Sequence, residues 1–152
     1  MMSNIKYLDL YYAAYGSNMN LEEMKKRCPD AKHEGTGTIE GYELLFCGEA
    51  GRAYLNVRPN SAKKVNVCLF KISENDLKSL DEYEEYPKLY GRSKCDVFMD
   101  DGSIKQAFFY EMDPSYEIST PSESYYRRVE QGFRDNDLDT RFLEEAYAKC
   151  KR

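Results

Sequence analysis

The sequence lacks tryptophan, contains one histidine (His33), and has no pair of cysteines at metal-ligand spacing. A structural zinc site needs closely spaced cysteine and histidine ligands, so these absences argue against one. The number of cysteines is odd and their positions are scattered, which argues equally against a secreted disulfide scaffold. We therefore expect most of them to be small buried apolar residues of a protein in the reducing cytoplasm. They are Cys28, Cys47, Cys68, Cys95 and Cys150.

Long apolar runs are missing as well. No stretch approaches the roughly 20 apolar residues that a transmembrane helix needs. The apolar and aromatic residues 7–15 are interrupted by Asp9 and lack the flanks of a signal peptide. Basic residues are also fewer than acidic ones, 22 against 27, which leaves a net charge of −5. A surface of this sign repels phosphate backbones and anionic lipids, so we expect neither nucleic acid nor a membrane as partner.

The residues that are present suffice for one apolar core. The chain has 152 residues, the length of one ordinary domain, and 41% of them are hydrophobic. Aromatic residues make up 14%, among them 14 tyrosines, whereas disordered chains are poor in aromatics. No internal repeat, linker or low-complexity segment divides the sequence. We therefore expect a single domain over residues 1–152.

Short strand-like stretches outnumber helical ones. The strand candidates are residues 8–15, two segments within 35–46 around Gly41, then 53–57, 64–72, 92–99 and 104–111. The last two flank the sequence Asp100-Asp101-Gly102, which is typical of a hairpin turn. Strands that pair partly by hairpins and are mixed with helices predict the α+β class, here a small barrel flanked by helices.

Four helices are indicated by capping signals and apolar spacing. Asn20 with Glu23 three residues later forms a capping-box pattern, which opens a helix ending at about residue 27. Ser73 begins a helix that ends at about residue 84. Pro121 is expected at the first position of a third helix, and a fourth starts at Leu138. The apolar stripe of the third helix is predicted at Tyr126, Val129 and Phe133. That of the fourth helix is predicted at Phe142, Ala146 and Cys150.

The first candidate for chemistry is the segment after the first strand. Its glycine lets the chain turn sharply and approach a ligand closely. The helix start that follows presents unpaired N–H groups, which suit a carboxylate or an oxyanion. The same features also fit a strand-to-helix turn that binds nothing. The segment consists of Tyr15, Gly16, Ser17, Asn18 and Met19.

The second candidate is Glu84, one of four acids in residues 80–87. Successive helical residues turn by about 100°, so the other three acids fall at the edge of the apolar side or away from it. Glu84 follows Leu77 by seven residues and Leu80 by four, which places it on the buried face if the helix reaches it. A carboxylate aimed at the core is paired, protonated or functional. Desolvation then raises its pKa towards that of a general acid or base.

Other residues offer weaker candidates. His33 could complete a nucleophilic set with Ser17 and an acid, although a lone histidine at a strand end is more often structural. Tyr90 and Tyr125 are by default ordinary core or interface aromatics. The basic pair at residues 127–128 fits a solvated helix face.

Three motifs occur in order along nearly the whole chain. They are YGSNM at 15–19, LDEYEEYP at 80–87 followed by LYGR at 89–92, and Pro121-Ser122 with Tyr125, Tyr126 and Gly132. Together they resemble the γ-glutamylcyclotransferase family in its AIG2-like or BtrG-like form. The resemblance implies a small mixed β-barrel with helices on its outside and no metal or organic cofactor. It also implies cyclisation of a small γ-glutamyl substrate to 5-oxoproline, with release of the attached amine or amino acid.

The resemblance also implies roles for individual residues. The family's catalytic carboxylate falls on Glu84, which the helical spacing singles out independently. Its substrate loop falls on residues 15–19, and tyrosines lining the site fall on Tyr90 and Tyr125. Where the family has a glycine after the catalytic glutamate, this chain has Glu85, which puts its substrate choice in doubt. The strand at residues 52–60 also departs from the family's usual sequence.

These observations lead to an expected mechanism with two alternatives. Glu84 acts as base and then as acid, while backbone N–H groups of residues 16–18 hold the substrate and the developing negative charge. One alternative is a module that binds a γ-glutamyl compound or another carboxylate without turnover. The other is a hydrolase or transferase of γ-glutamyl amides that uses Ser17 with His33.

Overall fold

The structure, a computed structural model, describes residues 5–150 and contains a closed barrel of five β-strands. The strands are β1 (Tyr11–Ala14), β2 (Lys32–Cys47), β3 (Tyr54–Lys71), β4 (Tyr90–Met99) and β5 (Ile104–Met112). Around the barrel their order is β1-β3-β2-β4-β5. Neighbours pair antiparallel except β5 and β1, which close the barrel in parallel. The α+β class and the small mixed barrel are thereby confirmed.

The helices are short, and side chains cap the starts of three of them, α1, α2 and α3. A 3-10 turn (Ser17–Met19) leads into α1 (Leu21–Arg27), and the other helices are α2 (Glu74–Tyr83), α3 (Glu123–Asp135) and α4 (Arg141–Lys149). The Asn20 side chain accepts the N–H of Glu23 at 3.1 Å, as the capping pattern predicts. Ser73 and Asp76 form a reciprocal capping box at the start of α2. Such caps satisfy N–H groups that the first turn leaves free, and so fix where these helices begin.

The predicted strand segments between residues 35 and 72 join into two long strands, β2 and β3. Gly41 has a φ of 82°, and the pairing shifts register between Glu40 and Tyr42. The glycine therefore makes a bulge within β2 instead of separating two strands. In β3 the chain stays extended across residues 58–64, whose side chains are exposed or only half-buried. An exposed strand carries no apolar alternation, so the sequence gives no signal for it.

Helix α3 begins two residues later than predicted. Its N-cap is Ser122, whose hydroxyl accepts the N–H of Tyr125 at 3.2 Å. Pro121 therefore precedes the cap and is not the first helical residue. The predicted apolar spacing survives this shift, because Val129 and Phe133 are both fully buried. Tyr125 is buried on the same helix, which brings this tyrosine into the interior.

Helix α4 also begins later, at Arg141, and only part of its predicted stripe is buried. Ala146 is buried and Cys150 is partly buried against the core, whereas Phe142 is 42% exposed. A step of four residues exceeds one helical turn by about 40°, so the predicted stripe starts outside the buried side at Phe142 and reaches it at Ala146. Leu143, three residues before Ala146, is the buried residue that the stripe omits.

The barrel interior and the space under the helices form one apolar cluster. Its largest fully buried side chains include Phe46, Phe109, Phe133 and Met19. All five cysteines are free thiols, three of them buried and two partly buried, as expected for small core residues. In the part of the chain that is described, no helix has the length and apolar character needed to cross a membrane.

Candidate active site

A cavity of about 190 Å³ opens beside the end of β1, the end of α2 and the start of α3. Pockets for drug-sized ligands hold roughly 300–1,000 Å³, so this cavity suits a small molecule or one part of a larger one. Its wall contains two adjacent glutamates, Glu84 and Glu85, and one arginine, Arg128. Half of the chain's 14 tyrosines line it: Tyr12, Tyr15, Tyr54, Tyr83, Tyr90, Tyr110 and Tyr125.

One wall is the turn between β1 and α1. Gly16, Ser17 and Asn18 all line the cavity. The 3-10 turn is closed by the N–H of Met19 donating to the carbonyl of Gly16 at 3.0 Å, and by the next N–H donating to Ser17. Within residues 5–150, no acceptor binds the N–H groups of Ser17 and Asn18. These two donors are therefore available to a ligand.

Glu84 lies on the opposite wall, at the end of α2. The helix ends at Tyr83, yet the N–H of Glu84 still donates to the carbonyl of Leu80 at 2.9 Å. The helical turn thus extends one residue further and directs Glu84 as the spacing predicts. Its side chain is half-buried in the cavity wall, and no hydrogen-bonding group of the described residues contacts the carboxylate. Burial raises the pKa of Glu84 to about 7, although the positive charge of Arg27 acts in the opposite direction.

Three tyrosine hydroxyls hold the cavity walls together by bonding to backbone groups. Tyr15 donates to the carbonyl of Tyr110 at 2.5 Å, and Tyr90 donates to the carbonyl of Leu55 at 2.9 Å. The N–H of Leu55 in turn donates to the hydroxyl of Tyr125 at 3.0 Å. Burial raises the pKa of Tyr15, Tyr90 and Tyr125, so all three remain neutral phenols near neutral pH. These hydrogen bonds fix the positions of the three hydroxyls on this side of the cavity.

The charges at the cavity edge are unevenly paired. Arg128, expected on a solvated face, instead lines the cavity and lies 3.2 Å from the carboxylate of Glu23, whereas its neighbour Arg127 is exposed. Glu85 is exposed and lines the edge, and within residues 5–150 no cation pairs with it. At the cavity edge, the charge of Arg128 is therefore offset by Glu23, whereas no cation of the described residues offsets the charge of Glu85.

Most of the predicted site residues converge on this cavity. Tyr15, Gly16, Ser17, Asn18, Glu84, Tyr90 and Tyr125 all line it. Met19 does not, because its side chain is fully buried in the core beneath α3. Its place in the sequence motif therefore reflects packing under the turn and not contact with the cavity.

His33 lies outside the cavity and does not contact Ser17. Its Nε2 is 2.7 Å from the side-chain oxygen of Asn136, and its ring packs edge-on against Phe70. The hydroxyl of Ser17 is 2.8 Å from that of Tyr83 instead. The Ser17–His33 pair that a nucleophilic mechanism requires is thus absent from the described structure.

Several lining residues were not predicted. Tyr54, Tyr83 and Tyr110 lie on three different elements, and Arg128 is far in sequence from its partner Glu23. The sequence motifs border some of these positions, but only the barrel topology brings them to one cavity. As for a metal, no cluster of three or more potential ligand side chains exists among residues 5–150.

Comparisons with known proteins place this geometry in a family. Residues 12–132 match the family described as gamma-glutamyl cyclotransferase, AIG2-like. A mouse gamma-glutamylaminecyclotransferase is 27% identical over 122 residues, covering 73% of this chain and 82% of the mouse protein. Zebrafish gamma-glutamylaminecyclotransferase A is 30% identical over 113 residues, covering 62% and 69%.

A solved structure of a gamma-glutamyl cyclotransferase has the same fold. It superposes with a TM-score of 0.81 at 23% identity and covers 91% of this chain and 86% of its own. At this identity the likeness concerns the fold alone, whereas the sequence match extends over most of the chain and includes the turn after β1 and the end of α2. The chain therefore belongs to the AIG2-like γ-glutamyl cyclotransferase family.

Proposed function

We propose that the protein converts a γ-glutamyl amine or γ-glutamyl amino acid into 5-oxoproline and the free amine, with Glu84 as the general base and acid. The observation that carries this proposal is the Glu84 carboxylate, half-buried in a tyrosine-lined cavity with a pKa of about 7 and no protein hydrogen-bond partner among residues 5–150. The names of the mouse and zebrafish relatives favour an amine as the leaving group.

The reaction is an acyl transfer within one substrate molecule. The α-nitrogen attacks the γ-carbonyl carbon, a five-membered ring closes, and the bond from that carbon to the amide nitrogen breaks. The attacking nitrogen starts as an ammonium and loses two protons, while the departing nitrogen gains two. Because both reacting groups belong to one short chain, the substrate itself supplies much of the proximity that catalysis requires.

Glu84 suits the proton transfers. A carboxyl group with a pKa near the working pH accepts a proton and returns it at comparable cost, which is the condition for efficient general acid–base catalysis. Glu84 takes a proton from the α-ammonium and later delivers one to the departing nitrogen. Such a group contributes typically about 10²–10⁴-fold to the rate.

The turn after β1 supplies the complementary charge. The N–H groups of Ser17 and Asn18, free of protein acceptors within residues 5–150, are placed to bind a substrate carboxylate or the oxygen that becomes negative at the γ-carbon. The hydroxyl of Ser17 forms a hydrogen bond with that of Tyr83, and the histidine that could activate it, His33, pairs with Asn136 instead. We therefore assign Ser17 to binding and propose no covalent intermediate.

The decisive experiment compares Glu84→Gln with the wild-type protein. Glutamine keeps the shape of the side chain but cannot accept a proton, so we expect 5-oxoproline formation from γ-glutamyl amines to fall by at least about 100-fold. The product is quantified by mass spectrometry across a panel of γ-glutamyl amines and γ-glutamyl amino acids. Glu82→Gln is the matched control, since Glu82 is exposed on the same helix and lies outside the cavity lining.

Two outcomes would contradict the proposal. If Glu84→Gln retains wild-type turnover while Glu82→Gln does too, Glu84 is not the acid–base group. If the wild-type protein binds γ-glutamyl compounds but forms no 5-oxoproline from any of them, the cavity is a binding site without turnover.

A further inference from the structure

Arg27 contacts both walls of the cavity without lining it. It is the last residue of α1, and its side chain is 15% exposed. The guanidinium carbon lies 3.4 Å from the centre of the Tyr83 ring, which is a close cation–π stack. Its Nη1 also donates to the side-chain oxygen of Asn18. One partly buried cation therefore links the turn after β1 to the end of α2.

The two residues that Arg27 contacts, Asn18 and Tyr83, each form one further hydrogen bond. The amide nitrogen of Asn18 donates to the hydroxyl of Tyr12 at 2.9 Å. The hydroxyls of Tyr83 and Ser17 are 2.8 Å apart. Both ends of the network, Tyr12 and Ser17, line the cavity, and Asn18 is adjacent to Ser17 in the chain. A displacement of Arg27 would thus move both walls.

Only an arginine fits all of these contacts. Its planar guanidinium stacks on an aromatic face while its N–H groups donate in the plane, whereas the ammonium of lysine has no plane to stack. The carboxylate of Glu23 lies 4.0 Å from Arg27 and 3.2 Å from Arg128, so one acid serves two cations. The carboxylate of Glu23 therefore compensates the positive charge of Arg27 only in part.

That charge acts on Glu84. Burial raises the pKa of Glu84 to about 7, and Arg27 is the cation that lowers it. Tyr12, Tyr15, Tyr90, Tyr110 and Tyr125 remain neutral, because burial raises their pKa values. Besides Glu84, the titratable side chains that line the cavity are Tyr12, Tyr15, Tyr54, Tyr83, Tyr90, Tyr110, Tyr125, Glu85 and Arg128.

We propose that Arg27 is a positioning residue for the reaction proposed above, on which this inference rests. It holds Asn18 and Tyr83 in place, and through Tyr83 also Ser17, so that the donors of the turn and the Glu84 carboxylate face one substrate. Arg27 touches neither substrate nor reacting atoms, and its effect passes through these three residues and through its charge.

The test uses Arg27→Met, Arg27→Lys and the control Lys26→Met. Lys26 is the adjacent cation on α1, is 72% exposed, and among residues 5–150 pairs only with Glu22, so its replacement makes the same change in net charge away from the cavity. We expect kcat/KM for a γ-glutamyl amine to fall about 10- to 100-fold in Arg27→Met, because small misplacements of reacting groups carry penalties of this size. Lys26→Met should match the wild-type protein.

The pH profile separates positioning from a structural role. The base form of Glu84 is the active one, so kcat/KM rises with pH through the pKa of Glu84. Loss of the Arg27 cation should move this acidic limb upward by about 0.5–1 pH unit in Arg27→Met. Arg27→Lys keeps the cation, so its limb should stay near the wild-type position although its kcat is reduced. Loosened packing alone would lower kcat without moving the limb.

A second measurement does not depend on turnover. The carboxyl carbon of Glu84 is observed by NMR in protein labelled with ¹³C-glutamate, and its signal is assigned with Glu84→Gln. Its titration midpoint should rise in Arg27→Met and remain unchanged in Lys26→Met. If Arg27→Met does not fold, Tyr83→Phe keeps the stacking ring, removes the bond to Ser17, and should weaken substrate binding several-fold.

The outcomes distinguish this inference from the proposed function. An unmoved acidic limb and an unmoved NMR midpoint in Arg27→Met overturn the role of Arg27 while leaving the wild-type reaction intact. If Tyr83→Phe binds the substrate with the affinity of the wild-type protein, the proposed role of Arg27 is likewise overturned. Absence of 5-oxoproline with the wild-type protein instead overturns the proposed function, whatever the variants do.

Discussion

At the scale of single residues, Glu85 has a backbone conformation that side chains rarely adopt. Its φ is 51°, in the left-handed region, which costs a residue with a Cβ atom about 1–2 kcal/mol. Glycine adopts this region freely. The family resemblance implies a glycine at this position, and a glycine would adopt this conformation without strain. The strained residue lines the cavity.

Replacement of Glu85 by glycine should therefore stabilise the protein. We expect the free energy of unfolding to rise by about 0.5–1 kcal/mol, because relief of strain exceeds the extra flexibility that glycine gives the unfolded chain. Urea denaturation measures the change as a shift of the midpoint at constant slope. Glu85→Ala removes the carboxylate but keeps the Cβ atom, so it should bring no comparable gain. Equal stabilisation by both variants would point to charge and not to strain.

How far single residues could be predicted depends on the distance between partners in the sequence. Glu84 was found from Leu77 and Leu80, which lie within two helical turns of it. Arg128 was missed because its partner, Glu23, lies far away in the chain. Local spacing carries information about one face of one helix, whereas the pairing of two distant side chains depends on the folded topology.

At the scale of elements, α3 packs directly on the turn that forms the cavity wall. A Cβ atom added to Gly132 would lie 2.6 Å from the backbone nitrogen of Asn20 and 2.8 Å from the carbonyl carbon of Met19. Asn136, the residue that follows α3, donates its side-chain N–H to the carbonyl of Met19 at 2.8 Å. The helix thus supports the backbone between the 3-10 turn and α1 at contact distance.

Gly132→Ala should consequently destabilise the protein, although alanine usually favours a helix interior over glycine by roughly 0.5–1 kcal/mol. The added Cβ atom would clash with backbone atoms, which cannot rotate away as a side chain can. We therefore expect the free energy of unfolding to fall by about 1–3 kcal/mol, and KM to rise because the turn after β1 is displaced. Thermal and urea unfolding, with steady-state kinetics, measure both effects. Gln131→Ala, an exposed neighbour on α3, serves as control and should change stability by less than about 0.5 kcal/mol. Stabilisation in Gly132→Ala would show that the turn yields.

Element boundaries were predicted well where local chemistry sets them. The cap of α1 at Asn20 and the capping box at Ser73 gave both helix starts correctly. The prediction fails for β3, where residues 58–64 are extended with exposed or half-buried side chains, and for α4, where the spacing predicts Phe142 on the buried face. In these places the sequence carries no periodic pattern or a misleading one.

At the scale of the whole molecule, closure of the barrel assembles the site. The parallel contact between β1 and β5 brings Tyr15 beside Tyr110, and the start of β4 brings Tyr90 to Leu55 on β3. None of these contacts follows from local sequence, since each joins strands that are distant in the chain. The strand order could not be derived from hairpin signals alone, and the family resemblance supplied the barrel that those signals only suggested.

The raised pKa of Glu84 also links the site to the stability of the whole fold. Folded protein holds a proton on Glu84 up to a pKa of about 7, whereas an unfolded glutamate releases it near 4.5. Between these two values the folded state binds more protons, so this group's contribution to stability is full below about pH 4.5 and is lost as the pH rises to 7. Above that pH both states are ionised, and the contribution no longer changes.

Glu84→Gln should therefore be progressively stabilised relative to the wild-type protein as the pH rises from 4 to 8. Glutamine carries no charge at any of these pH values, so it escapes the cost of ionising a half-buried carboxyl. One pKa unit corresponds to about 1.4 kcal/mol, and allowing for partial solvent exposure we expect the difference to grow by roughly 1–3 kcal/mol. Urea unfolding at each pH gives the difference directly, because all other titrating groups cancel in it. A constant difference across this pH range in Glu84→Gln would show that the Glu84 carboxyl titrates alike in the folded and unfolded states.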